Sequence, residues 1–262
     1  AKKRRIALWD AETYDAVSSI QEAWGRKVVE WRSWQGNETV MDAGCGTGRL
    51  TKVLAQKLPA GMVYAVDIDR NMIEVAARNL KDAGNVKFIE SDLSTASLPD
   101  KVDVIFSNAA IHWIPDHRKL FENFWQLLAG NGEIMIQCGG HGNLKKIISI
   151  LDEIRQRDEF KPSFTNWKES WYFARPQDTS RLLQDIGFKN VNAYLTEDSA
   201  TFADRNSFAL FAKTVVLKPY LALLPDQQKD KFLKLFLDEI ETHHKSMCWI
   251  MDYVRLNIRA IK

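Results

Sequence analysis

Seven short apolar, β-branched segments, most of them separated by helical ones, predict a three-layer α/β fold around a mostly parallel sheet. Three observations carry that reading. Strand-like and helix-like runs alternate through the first 140 residues, the pattern that builds a parallel sheet covered by helices on both faces. The first strand stops in Gly44-Cys45-Gly46-Thr47-Gly48 and passes directly into a helix. Carboxylates stand at the ends of three successive strands, at Asp42, Asp67 and Asp92.

The elements follow in order. Ile20, Trp24, Val28 and Trp31 recur at helical spacing, so residues 10–33 read as one helix. Gly36-Asn37 breaks it before a strand at 38–42. An amphipathic helix over 50–58 ends at Pro59-Ala60-Gly61, and a second strand follows at 62–66. The next helix, 71–83, stops at Gly84 in the usual glycine role beyond a helix end. Strands at 86–89 and 102–106, a helix at 118–128, the turn Gly130-Asn131-Gly132 and a fifth strand at 133–137 continue the rhythm. Gly139, Gly140 and Gly142 then mark a hinge, followed by a helix over 144–157 and an aromatic stretch over 160–176. Residues 176–186 read as a helix and 191–195 as a strand, with further helices at 204–217 and 225–245. The closing run 253–259 alternates as a half-buried final strand.

Composition sets the outer limits. The chain has 262 residues, 45% hydrophobic and 27% charged, as in a soluble globular domain with a sizeable core. A formal net charge of +2 argues against nucleic acid as a partner. The run Lys2-Lys3-Arg4-Arg5 reads as a solvated tail. Cys45, Cys138 and Cys248 are scattered without metal-ligand spacing, which favours a reducing, cytoplasmic setting and no metal. No apolar run reaches the ~18 residues of a membrane span, and Ile6-Ala7-Leu8 is too short for a secretory signal. Nine tryptophans are many for this length. Several of them, Trp9, Trp24, Trp31, Trp34, Trp167 and Trp171, fall outside the core pattern, and a cluster from both ends of the chain could line a lid.

The glycine loop at a strand end calls for a nucleotide-like ligand. Counted from Gly44, a dinucleotide fingerprint requires glycine where Arg49 stands, and no phosphate-loop lysine follows. Asp42 would repel a pyrophosphate but suits the ammonium of a bound amino acid, whose carboxylate the loop amides can meet. Asp67, 25 residues on, can accept both ribose hydroxyls, and Asp92 can accept from an adenine amino group. His112 and Trp113 follow the fourth strand, where a histidine could orient an anionic acceptor or act as a base. Arg175, beside Trp171 and Tyr172, could pair with an acidic substrate. His117 reads as a helix cap, and adjacent His243-His244 lack metal spacing.

The motifs Val40-Met41-Asp42-Ala43-Gly44-Cys45-Gly46-Thr47-Gly48, Val66-Asp67-Ile68-Asp69-Arg70-Asn71-Met72, Ser91-Asp92-Leu93 and Phe106-Ser107-Asn108-Ala109-Ala110-Ile111-His112-Trp113 resemble class I S-adenosylmethionine-dependent methyltransferases. Within that class the chain is similar to the trans-aconitate 2-methyltransferase-like carboxyl methyltransferases, on Trp9 to Tyr14 with Gln21, on residues 108–117, and on the ending 253–259. The resemblance implies a Rossmann-like sandwich whose seven-stranded sheet has an antiparallel last strand, plus a helical cap. It divides the chain into residues 1–35, an N-terminal helix covering the cofactor site; 36–140, the cofactor-binding core; 141–245, the cap with remaining core elements; and 246–262, the final strand. It implies S-adenosyl-L-methionine as cofactor, with Gly44, Gly46, Gly48 and Asn108 about its methionine part, Cys45 and Asp42 also cofactor-binding, and Gln21 reaching the cofactor from the N-terminal helix. Asp67 and Ile68 would hold the ribose, and Met72, Asp92 and Leu93 the adenine. His112 and Trp113 would face the reacting acceptor, with Trp9, Tyr14, Trp171, Tyr172 and Arg175 on the substrate side. The implied reaction is O-methylation of a small or hydrophobic carboxylic acid. Methylation of a hydroxyl, amine or carbon acceptor, and non-catalytic cofactor binding, are the alternatives. A nucleic-acid amino methyltransferase would carry an N-P-P-Y-like motif where Asn108-Ala109-Ala110-Ile111 stands.

Overall fold

The computed structural model describes residues 9–243, 245 and 248–262. The basic run Lys2 to Arg5, His244 and the side chain of His243 lie outside the described residues. In chain order the elements are α1 (Ala11–Val17), α2 (Ser19–Val29), β1 (Thr39–Ala43), α3 (Arg49–Lys57), β2 (Met62–Asp67), α4 (Arg70–Asn79), β3 (Val86–Glu90), β4 (Val102–Asn108), α5 (His117–Leu127) and β5 (Leu128–Gly139). Then come α6 (Lys145–Arg155), α7 (Pro176–Ile186), β6 (Lys189–Thr201), α8 (Arg205–Phe211), a π-helical turn (Ala212–Val216), α9 (Lys218–Leu221), α10 (Asp226–His243) and β7 (Ile250–Ile261).

The sheet order is β3-β2-β1-β4-β5-β7-β6. β1 to β5 pair in parallel, and β7 runs antiparallel to β5. The rule of two residues per pleat explains the two cores. Val40, Val104, Phe106 and Met135 face one side, where Val28 and Val29 of α2 and Val53 and Leu54 of α3 pack on them. Met41, Ile105, Ile134 and Ile136 face the other, under Leu120, Phe121 and Phe124 of α5 and Leu183 of α7. The inner strands β1, β4 and β5 are largely apolar on both faces because each face carries a helix layer. After β1 the chain steps outward to β2 and β3, then returns to β4 on β1's other side. That reversal opens a crevice at the carboxyl ends of β1 and β4.

Several sequence expectations change in detail. The helix foreseen over 10–33 is two helices. Asp10 caps the first through Thr13 N–H, and α1 ends at Ser18, whose amide bonds back to Asp15. α4 closes at Leu80 with φ −120° and no left-handed residue, so Gly84 lies four residues beyond that cap and does not cap the helix. The turn Gly130-Asn131-Gly132 is an excursion within β5, between its pairings Val102↔Leu128 and Val104↔Glu133, with Asn131 at φ +63°. The helix expected over 204–217 becomes α8 and a π-helical turn. The final strand is not half-buried. Arg255, Leu256, Asn257 and Ile258 are all buried in succession, because β7 lies inside the sheet rather than at its edge.

The chain forms two compact units, one of residues 1–141, 171–196 and 255–262, the other of 142–170 and 197–254. The segment 171–196 therefore groups with the sheet unit. The second unit holds α6, α8, α9 and α10 about Phe160, Phe164, Phe208, Tyr220, Phe232 and Phe236, all buried. No helix among the described residues is long and apolar enough to cross a membrane. Among the described residues, no three His, Cys, Asp or Glu side chains are grouped to hold a metal ion.

Candidate functional site

The loop after β1 has the backbone that only glycine adopts readily. Gly44, Gly46 and Gly48 have φ of +81°, +54° and +86°. A Cβ on Gly44 would lie 2.2 Å from the Ala110 Cβ, and one on Gly48 would lie 2.8 Å from Leu80. The loop is thus pressed between the turn after β4 and helix α4. That second turn is itself tight, since Ala109 sits at φ +58° with its amide on the Gln137 carbonyl.

The N-terminal helices pack on this loop. Arg49, the first residue of α3, pairs with both oxygens of Asp15 and with Glu22 at 2.7 Å. The Asn108 Nδ2 donates to the Gln21 carbonyl at 2.8 Å. Tyr14, Ser18, Gln21, Glu22, Asp42, Gly44, Cys45, Gly46, Thr47, Arg49, Leu50 and Asn108 together line a narrow cleft over the carboxyl end of the sheet.

The cleft is built to attract positive charge. Asp42 is buried, and its carboxylate accepts from the Thr51 hydroxyl at 2.6 Å. Burial pushes its pKa up to about 7, with Asp67 adding to the rise and the Thr51 hydrogen bond opposing it. Asp67 accepts from the amides of Gly46 at 3.0 Å and Asp69 at 2.9 Å, so β2's end clasps the glycine loop. Burial raises its pKa too, against those amide bonds. Burial likewise holds Cys45 well above an ordinary thiol, which makes it a packing residue rather than a nucleophile. The side-chain oxygens of Gln21 and Asn108 are buried without a hydrogen-bond partner. Buried acceptors of this kind are costly unless a donor reaches them.

A second set of residues gathers around the turn after β4. His112 is buried in a short 3₁₀ turn, Ile111–Trp113. Its Nδ1 lies 3.3 Å from the Gly139 amide, which donates to it. Burial lowers its pKa to about 3, helped by the positive charges of Arg255 and His117. Its ring lies 5.6 Å from Trp113 and 5.8 Å from Phe173. Trp113 meets Trp9 at 5.7 Å and Trp171 at 5.6 Å, and Trp9 meets Tyr14 edge-on at 5.3 Å. Segments far apart in sequence thus supply one aromatic cluster, which joins Trp9 and Trp171 through Trp113. Trp31 and Trp34 pack instead against the α2–α3 side of the sheet, and Trp167 packs on Tyr220 in the second unit.

The remaining candidates fall unevenly. Met72 is buried against Ala11, Trp9 and Tyr14. The Trp9 amide donates to Asp69 at 2.7 Å, so the N-terminal segment sits on the loop after β2. Leu93 is a core residue, and Ile68 is 46% exposed. Asp92 is exposed and accepts from the Ser94 amide within its own turn. Tyr172 is 41% exposed, and its amide donates to the His112 carbonyl. Arg175 is exposed ahead of α7. His117 does not cap α5. It is buried, its Nε2 lies 3.1 Å from the Ile111 carbonyl, and the cap of α5 is Asp116. Ser18, Glu22, Thr47 and Arg49, none of them a sequence candidate for the site, also line the cleft.

The donor set fits an S-adenosyl ligand. Its methionine part carries an ammonium and a sulfonium, and the cleft offers the Gln21 and Asn108 oxygens with the carboxylate of Asp42, while Asp67 lies against the Gly46 amide of the loop. Comparison with known proteins agrees. The Methyltransferase domain family matches residues 35–187, more than half of the chain. Trans-aconitate 2-methyltransferase of Rhizobium etli is 25% identical over 259 residues, covering 97% of this chain and 99% of the relative. Malonyl-[acyl-carrier protein] O-methyltransferase 1 of Ilyobacter polytropus is 31% identical over 157 residues, 57% of this chain and 58% of the relative. In fold, the chain is similar to Haemonchus contortus phosphoethanolamine N-methyltransferase 2, solved with S-adenosyl-L-methionine. The TM-score is 0.58 at 16% identity, over 96% of this chain and 56% of that one. The chain belongs to the methyltransferase-domain family and is an S-adenosylmethionine-dependent methyltransferase.

Proposed function

We propose that the chain O-methylates the carboxylate of a small or partly hydrophobic organic acid in the cytoplasm. The observation that supports this most is the state of His112. Its Nδ1 accepts the Gly139 amide hydrogen, so the neutral ring carries its own hydrogen on Nε2. That nitrogen is a donor, suited to orienting a carboxylate. With a pKa lowered to about 3, His112 is a weak base for a hydroxyl or ammonium acceptor. A carboxylate needs no base, since it is already ionised near neutral pH. The relatives named for trans-aconitate and for a malonyl carrier protein point the same way.

When bound, S-adenosylmethionine supplies a methyl group activated for in-line displacement. The chain's own residues position and desolvate. Gly44, Gly46 and Gly48 let the backbone approach the methionine part, and Asp42 lies beneath it at the end of β1. Gln21 and Asn108 offer their unpaired oxygens to its ammonium. Asp67, which accepts from the Gly46 and Asp69 amides, would also accept from the ribose hydroxyls, and Met72, with Ile68 and Leu93, would form the adenine side. Asp92, though held by its own turn, remains in reach of solvent for an adenine amino group. The wall of Trp9, Trp113 and Trp171, with Tyr14, excludes water where the acceptor enters, and displacement gains from that exclusion.

Two measurements test the proposal. Incubation with methyl-labelled cofactor and a panel of organic acids should yield label that mild base releases as methanol, the behaviour of an ester. Label that resists base would assign an ether, amine or carbon acceptor instead. His112→Gln should lose about 1–2 kcal/mol of hydrogen-bond energy, roughly five- to thirtyfold in kcat/KM. At saturating cofactor, where the titration of Asp42 no longer limits binding, the wild-type rate should stay flat between pH 6 and 8, because a group lowered to about 3 does not titrate there. An imidazole-like rise that His112→Gln abolishes would make His112 a base.

A further inference from the structure

We infer that Thr51 is a positioning residue for the cofactor, its hydroxyl holding one oxygen of Asp42 so that the other faces the cleft. The inference concerns cofactor binding and is independent of which acceptor is methylated.

Thr51 is the third residue of α3 and is fully buried. Its hydroxyl donates to Asp42 Oδ2 at 2.6 Å. Asp42 stands just before Gly44 and Thr51 just after Gly48, so this bond ties the two ends of the glycine loop. A threonine in a helix can instead give its hydroxyl to the carbonyl four residues back. Here that carbonyl, of Thr47, accepts from the Asn79 side chain at 3.0 Å. The Thr51 hydroxyl goes to the strand, and the few rotamers of a β-branched side chain keep it there.

Asp42 has little else to hold it as an anion. Among the described residues the Thr51 hydroxyl is its one hydrogen-bond donor, and no cation pairs with it. Asp67 at the end of β2 is a second acid acting on it. Tyr14 and Glu22 from the N-terminal helices and Cys45 from the loop line the same cleft. Arg49 lines it too, but its guanidinium is committed to Asp15 and Glu22. Burial and Asp67 thus favour the neutral acid, and the Thr51 hydroxyl opposes both. Its length is that of a hydroxyl bonded to a carboxylate anion, about 2.5–2.7 Å.

The consequence is for ligand charge. A carboxylate clamped at one oxygen is held against rotation, and its second oxygen is left to the cleft that Asp42 lines. The cofactor's ammonium then meets an anion of fixed direction. Without the hydroxyl, Asp42 would take a proton more readily and present an O–H where the ammonium needs an acceptor.

The test measures S-adenosylhomocysteine affinity by calorimetry from pH 5 to 8.5 in wild type, Thr51→Val, Thr51→Ala and Thr51→Ser. Wild type should lose affinity below a midpoint of about 7. Thr51→Val should raise that midpoint by about one to two pH units, the scale of a hydrogen bond to a charged group. It should bind roughly tenfold more weakly at pH 7. Thr51→Ala should repeat the shift, and Thr51→Ser, which keeps the hydroxyl, should restore the wild-type midpoint. In an Asp42→Asn background, Thr51→Val should change affinity less than about twofold. 5′-Methylthioadenosine, which has the adenosine but no ammonium, should bind wild type and Thr51→Val alike. A merely structural threonine would weaken both ligands by the same factor and leave the midpoint in place. An unmoved midpoint in folded Thr51→Val or Thr51→Ala would overturn the assignment to Thr51. A wild-type profile without a midpoint would overturn the charge reading of Asp42 on which it rests.

Discussion

Gly44→Ala should weaken S-adenosylhomocysteine binding by a hundredfold or more. Gly44 has φ +81°, where an L side chain costs about 1–2 kcal/mol. Its new methyl would lie 2.2 Å from the Ala110 Cβ, a contact that cannot stand. Neither atom belongs to a flexible side chain, so backbone must move. Ala110 follows Ala109, already left-handed, and leads into the 3₁₀ turn Ile111–Trp113 that carries His112. The displacement therefore opens the glycine loop, shifts the reacting turn, or both. A loss of about 3 kcal/mol in binding corresponds to the hundredfold. Gly84→Ala is the control, because nothing lies within 4 Å of a Cβ there, and its affinity should match wild type. Titration calorimetry on both variants checks the pair. Tight binding by folded Gly44→Ala would show that the ligand does not need this backbone.

Cofactor affinity should also fall steeply below neutral pH. Burial pushes Asp42 up to about 7, with Asp67 adding to the rise. Because this value exceeds the ordinary carboxyl one, Asp42 withdraws folding stability as pH rises from about 4 to about 7. The folded chain there binds more protons than the unfolded one. A cationic ligand favours the ionised carboxylate and so binds only the deprotonated fraction. Apparent affinity should drop about tenfold per pH unit below 7, or about a hundredfold by pH 5. Asp42→Asn should flatten most of that slope at the cost of weaker binding at pH 8. Asp67, also raised, supplies what remains. A wild-type profile flat from pH 5 to 8 would uncouple Asp42 from the ligand.

The parts of this site that were legible in the sequence rest on local rules. The Gly44–Gly48 loop declared itself because positive φ and close approach demand glycine at fixed spacing. The strands declared themselves through short β-branched runs bounded by turn residues. What stayed hidden depends on contacts far apart in the chain. Alternation in Tyr253 to Arg259 suggested one apolar and one solvated face, which placed Arg255 and Asn257 in water. Periodicity cannot tell that β7 is an interior strand, where Asn257 accepts from Gln137 at 2.7 Å and the Arg255 guanidinium lies over the Trp24 ring. Arg175 drew attention by its aromatic neighbours, yet it is exposed. The break at Ser18 was invisible because helical spacing carries on across it, while Arg49 draws Asp15 and Glu22 down onto the loop.

The most direct test of the account is amide hydrogen exchange with and without saturating S-adenosylhomocysteine. The glycine loop Gly44–Gly48, the loop after β2 at residues 68–69, and helices α1 and α2 should exchange more slowly when the ligand is present. Amides of α8 and α10 in the second unit should be unchanged. Protection absent from the glycine loop, or produced there equally by NAD, would contradict the account.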